Sequence, residues 1–77
     1  MAHLEVGSAG LEITLNGDRR RVPASSTVAS LLDSLALDAR LVVVERNREI
    51  LRDRDSFSGV ELARGDTIEI VHFVGGG

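Results

Sequence analysis

Leu11-Glu12-Ile13-Thr14-Leu15-Asn16-Gly17-Asp18-Arg19-Arg20-Arg21-Val22-Pro23 is the stretch from which the fold is read. Leu11, Ile13 and Leu15 alternate with Glu12 and Thr14, the period-two pattern of a strand with one face in a core. Asn16-Gly17 accepts the positive φ angles of a type I′ turn, so the chain is expected to fold back into an antiparallel hairpin. The return strand covers residues 19–22 and stops at Pro23, which has no N–H to give to a ladder. Its three arginines admit two readings, a phosphate-binding patch or solvated charge that keeps an edge strand from pairing with other chains. The second is the one expected of a short edge strand.

Downstream of the hairpin, Ser25, Ser26 and Thr27 offer a helix N-cap, and Val28, Leu31, Leu32 and Leu35 recur at i, i+3, i+4 and i+7. A helix of about ten residues is expected, ending near Leu37-Asp38 where the period is lost. Residues 41–45 form an apolar run suited to a central strand that is apolar on both faces. Arg46-Asn47-Arg48 reads as a turn and Glu49-Ile50-Leu51 as a short strand. Residues 52–58 read as a charged connection in which Asp53 and Asp55 are solvated, since no apolar shell is there to perturb a carboxylate pair. Gly65-Asp66 is a second turn, and residues 67–74 form the last strand. The order strand, strand, helix, strand, short strand, strand suits an α+β fold of the β-grasp type. Its mixed sheet of four to five strands has the last strand between the first and third, parallel to the first, and one helix over one face.

Upstream, residues 1–10 have no period and are expected to be a flexible leader, leaving residues 11–74 as the domain and 75–77 as a flexible glycine tail. If Ile68 and Ile70 face the helix, alternation turns Val71 and Phe73 to the open side. There, with Val43 (or Leu41) and Val74, they would form an apolar patch for a partner. The competing reading has Phe73 folding over the edge of the core. The chain then runs into Gly75-Gly76-Gly77. Three residues without Cβ can lie in a channel too narrow for side chains and carry the terminal carboxylate roughly 10 Å from the fold. A linker remnant would have the same composition.

Composition narrows the function. A chain of 77 residues has little room for a deep cleft, which favours offering a surface or an end to a larger partner over being an enzyme. A net charge of −3 with two phenylalanines and no tyrosine or tryptophan removes both the cationic groove and the stacking platforms of nucleic-acid binding. No apolar run approaches the ~18–20 residues of a membrane span, and no signal-like start is seen. Cysteine is absent, and with it disulfides, thiolate metal sites and a thiol nucleophile. A cytoplasmic location is expected. His3 and His72 have no partner at ligand spacing, so no metal site is expected.

The run Gly65-Asp66-Thr67-Ile68-Glu69-Ile70-Val71-His72-Phe73-Val74-Gly75-Gly76-Gly77 closely resembles the end of the thiamine-biosynthesis sulfur carrier family (the ThiS family, ubiquitin-like β-grasp proteins). Asn16-Gly17, Ser26-Thr27-Val28 with Leu31-Leu32, and Val42-Val43-Val44-Glu45-Arg46-Asn47 fit that family too, so the resemblance spans residues 11–77. A proline common in the family after the fourth strand is missing here, and only the aromatic Phe57 is kept. The resemblance implies a carrier, not an enzyme, with no bound cofactor. A ubiquitin-activating-like adenylating enzyme would use ATP to convert the Gly77 carboxylate to an acyl-adenylate. A cysteine desulfurase or other persulfide donor would turn this into a thiocarboxylate, and thiazole synthase would take the sulfur. Gly75 and Gly76 would give access to those active sites, and Val43, Val71, Phe73 and Val74 would give affinity. The rival expectations are the small subunit of molybdopterin synthase, a non-catalytic β-grasp binding module and a protein-conjugating modifier.

Overall fold

The structure, a computed structural model, describes residues 10–73. Among them the elements are β1 (Gly10–Leu15), β2 (Asp18–Pro23), α1 (Val28–Ser34), β3 (Val42–Arg46), β4 (Glu49–Ile50) and β5 (Thr67–His72), with 3-10 helices at Ala39–Leu41 and Arg54–Gly59. One five-stranded sheet has the order β2-β1-β5-β3-β4. β5 lies parallel to β1 and antiparallel to β3, as the β-grasp reading requires. The β1–β2 hairpin turns on Asn16 at φ 50° and Gly17 at φ 89°, the left-handed pair a type I′ turn needs. β1 begins at Gly10, one residue before the expected boundary, because Gly10 still pairs with Pro23. Arg19, Arg20 and Arg21 are exposed on the edge strand β2.

The helix is shorter than its periodicity predicts. Thr27 caps it: its Oγ1 accepts from the Ser30 N–H at 3.1 Å while Ser30 Oγ accepts from the Thr27 N–H at 2.8 Å. It stops after Ser34 because Ala36 enters the left-handed region at φ 58°. The Ala36 N–H then donates to the Asp33 carbonyl and the Leu37 N–H to the Leu32 carbonyl, the two bonds of a Schellman termination. Leu35 and Leu37 continue the apolar stripe and pack on the core from outside the helix, so the burial pattern outruns the helical backbone.

Leu41 belongs to a 3-10 turn rather than to the third strand. Asp38 caps that turn by accepting the Arg40 N–H at 2.9 Å, and β3 starts only at Val42. The charged connection is also more ordered than its composition implies. Asp53 accepts the Asp55 N–H and caps the helix Arg54–Gly59, which drives Phe57 into the core. Arg54 donates back to the carbonyls of Ala39 and Val42. The core thus joins Ile13, Leu15 and Val22 of the hairpin, Val28, Leu31 and Leu32 of α1, Val42, Val44, Ile68 and Ile70 of the central strands, and Phe57 and Leu62 of the connection.

Candidate functional site

β5 is the axis of the molecule, held on both sides and at its start. Its entry turn rests on Asp66, a buried carboxylate that accepts from the Ala63 N–H at 2.8 Å, Asn47 Nδ2 at 3.0 Å and Arg46 Nε at 3.0 Å. Burial pushes this carboxyl up, but the Ala63 N–H, the Asn47 amide and the Arg46 guanidinium outweigh it and hold Asp66 below the usual carboxylate range. Asn47 also accepts the Thr67 N–H through its side chain, so the β3–β4 turn and the start of β5 are tied together. On the β1 side the ladder ends where β1 turns away, and there the Asn16 side-chain amide bonds to both backbone groups of Ile70. On the β3 side pairing runs one residue further, to the Phe73 N–H on the Leu41 carbonyl at 2.8 Å.

This bracing sorts the strand by face. Ile68 and Ile70 lie under α1 at 0% and 9% exposure, whereas Val71 and Phe73 stand on the open side at 60% and 48%. Val71 is the direct cross-strand partner of Val43, so the structure brings together the predicted residues Val43, Val71 and Phe73. Phe73 does not fold over the core edge. Val74, Gly75, Gly76 and Gly77, predicted as the rest of the patch and the tail, lie outside the described residues, as does His3. His72 is the exposed last residue of β5. Among the described residues no group of three His, Cys, Asp or Glu side chains could hold a metal ion, and no helix is long and apolar enough to cross a membrane.

Ile50 widens the apolar face beyond the predicted set, and Leu41, the expected alternative to Val43, joins it. Leu41 and Ile50 are 46% and 45% exposed, and Ile50 shares with Val43, Leu51, Arg52 and Arg54 a depression of about 190 Å³. That is below the roughly 300–1,000 Å³ of a small-molecule pocket and suits a side chain of a docked protein. Nothing in Glu49-Ile50-Leu51 marks Ile50 in advance, because a strand of three residues is too short for alternation to assign a face.

A parallel–antiparallel five-stranded sheet under a single main helix, with an apolar open face leading to the end of its central strand, defines a β-grasp protein of the ubiquitin-like class. Comparison with known proteins makes this specific. The ThiS family model matches residues 13–77, and the chain belongs to the ThiS family. It is 46% identical over 66 residues to the sulfur carrier protein ThiS of Bacillus subtilis, covering 84% of this chain and 98% of that protein. The crystal structure of the thiamine biosynthesis protein ThiS from Geobacter metallireducens superposes with a TM-score of 0.72 at 36% identity, covering 87% of this chain and 100% of that one. The chain is also 45% identical over 67 residues to a thiazole synthase of Paramagnetospirillum magneticum, where 87% of this chain spans 20% of that protein.

Proposed function

We propose that this chain, by family a sulfur carrier of thiamine biosynthesis, carries its sulfur as a thiocarboxylate on Gly77 and hands it to a thiazole synthase. The observation that supports this most directly is the geometry of β5. It is braced through Phe73, Val71 and Phe73 on its open side are apolar and exposed, and residues 74–77 come next in the chain. A docked partner that grips Val43, Val71 and Phe73 therefore stands within reach of the tail. Gly75 and Gly76 let that tail enter a narrow channel.

A carboxylate resists nucleophiles until one oxygen becomes part of a good leaving group. An adenylating partner supplies this: a Gly77 oxygen attacks the α-phosphate of ATP and pyrophosphate departs. The terminal sulfur of a protein persulfide then attacks the acyl carbon and AMP leaves with its electron pair. A second thiol cleaves the S–S bond, becoming part of a disulfide, and the thiocarboxylate remains on Gly77. The chain itself supplies no general acid, base or thiol to these steps, so it acts as a carrier and not as an enzyme, and ATP binds to the partner. A cytoplasmic location and a cysteine desulfurase or similar persulfide donor complete the reading.

The experiment is intact mass of the chain after incubation with the adenylating enzyme, ATP and a persulfide donor. A gain of one oxygen-to-sulfur exchange is expected, and it must vanish when Gly77 is deleted or its carboxyl is amidated. Unchanged mass of the full chain would overturn the proposal, as would a cellular form that continues past Gly77 in its active state.

A further inference from the structure

The carrier reading makes no use of Arg19-Arg20-Arg21. These residues lie on β2, an edge of the sheet paired with β1. The direction of the β2 backbone follows from β1. The Glu12 carbonyl accepts the Gly65 N–H and the Thr14 N–H donates to the Asp66 carbonyl, so both residues turn their backbone groups toward the β5 side. Ile13 between them therefore bonds to its partner Arg20, and by alternation the N–H and C=O of Arg19 point out of the sheet. The side chains alternate as well. Arg20 stands opposite the buried Ile13, on the side of α1, while Arg19 and Arg21 stand on the other face, opposite Thr14 and Glu12. All three arginines are exposed. Arg21 has an acidic residue opposite it, but Arg19 and Arg20 face uncharged residues, and neither forms an ion pair among the described residues.

An edge charged in this way repels a second copy of the chain, because antiparallel pairing of two β2 strands sets arginine beside arginine. The same charge attracts a partner of opposite sign. We propose that the β2 edge is a protein-binding site separate from the open face of the sheet, and that its occupant is an extended acidic segment of another protein, added to the sheet as a further strand. The Arg19 N–H and C=O give this segment the backbone bonds of a ladder. Carboxylates at consecutive positions of the segment point to alternate faces, one meeting Arg20 on the α1 side and the next meeting Arg19 on the other. A single phosphate suits this edge less well, since it needs guanidinium groups that converge, and alternation sends Arg20 away from its two neighbours. β1 separates the edge from β5, so a segment bound here leaves β5 uncovered. The carrier is then held by one protein while another acts on Gly77. The site itself does not depend on the carrier reading.

The test is NMR titration of the full chain with a capped peptide of about eight residues, consecutive glutamates flanked by valines, and with the same peptide carrying glutamines instead. The glutamate peptide is expected to bind about ten-fold more tightly at low salt, with the difference shrinking as salt rises. Binding should slow hydrogen exchange at the Arg19 amide about ten-fold and leave the Arg20 amide, already bonded to Ile13, unchanged. The variant Arg19→Gln/Arg20→Gln keeps the side-chain stems and should lose the preference for glutamate without a fall in its urea midpoint. Arg48→Gln/Arg52→Gln removes the same charge at the β4 side of the sheet and should keep the preference. The inference is overturned if the parent does not distinguish the two peptides, or if both double variants lose the preference equally. An Arg19 amide already protected in the free chain would also overturn it, because the edge is then covered by the chain itself. Binding that leaves this amide unprotected, or that inorganic tripolyphosphate at equal concentration abolishes, reduces the edge to general anion attraction and overturns it as well. The mass experiment tests the carrier reading separately, and neither result decides the other.

Discussion

The side-chain amide of Asn16 forms with the backbone of Ile70 both hydrogen bonds that a neighbouring strand would form. Oδ1 accepts from the Ile70 N–H at 2.7 Å and Nδ2 donates to the Ile70 carbonyl at 3.3 Å. One residue thereby makes the hairpin turn and substitutes for the strand that the turn has taken away. Glycine at this position keeps the φ of 50° but has no amide. Asn16→Gly should therefore lose about 1–2 kcal/mol of stability in urea. Hydrogen exchange at the Ile70 amide should accelerate more than at the Ile68 amide; equal acceleration at both would show that the amide does not hold the strand end.

Asp66 makes stability depend on acid. Its folded pKa lies below its unfolded one, so its contribution is complete above the unfolded value and is lost as pH falls through the folded value. The melting temperature of the parent should decline below about pH 4, the range of a free aspartate. Asp66→Asn should be less stable at neutral pH by roughly 1–3 kcal/mol, because the Arg46 and Ala63 donors lose a charged acceptor. It should also show a flatter decline in acid.

Two left-handed residues lack the glycine that would suit them. Ala36 ends α1 at φ 58°, and Arg48 stands at φ 73° in the two-residue turn between β3 and β4. Ala36→Gly and Arg48→Gly relieve a left-handed cost of about 1–2 kcal/mol, offset in part by unfolded-chain entropy. Each is expected to stabilise by roughly 0.5–1 kcal/mol in denaturant titration. A loss of stability in either would show that its side chain makes a contact worth more than the backbone strain.

Adjacent residues of β5 should behave oppositely. Val71→Ala removes an exposed side chain and should alter stability by less than about 0.5 kcal/mol, while weakening binding to thiazole synthase several-fold. Ile70→Ala opens a cavity in the core and should cost about 2–5 kcal/mol. Circular dichroism melts and calorimetric binding of the two variants check both halves.

What the sequence could show was whatever neighbouring residues encode. Alternation in β1 and β5, the Asn-Gly turn and the Thr27 cap depend on side chains a few positions apart, and all were readable. The sides of Ile70 and Val71 followed from period two alone. The helix end was not readable, because Ala36 carries no local signal for a left-handed φ; its conformation follows from Leu37 being drawn to the core. Asp53 is exposed, as its surroundings in the sequence imply, but its capping role is not readable, because nothing nearby announces a 3-10 helix that forms once Phe57 has a core to enter.

By itself, then, the sequence determined the order and type of the main elements, the apolar open side of the last strand and the glycine ending, since each is a property of consecutive residues. Only the tertiary structure decided that Asn16 splints Ile70, that Asp66 gathers Arg46, Asn47 and Ala63, and that Val43 meets Val71 on the open face. These contacts join residues remote in the chain, and their partners are chosen by strand register, which is set when the faces of β3 and β5 are buried under α1.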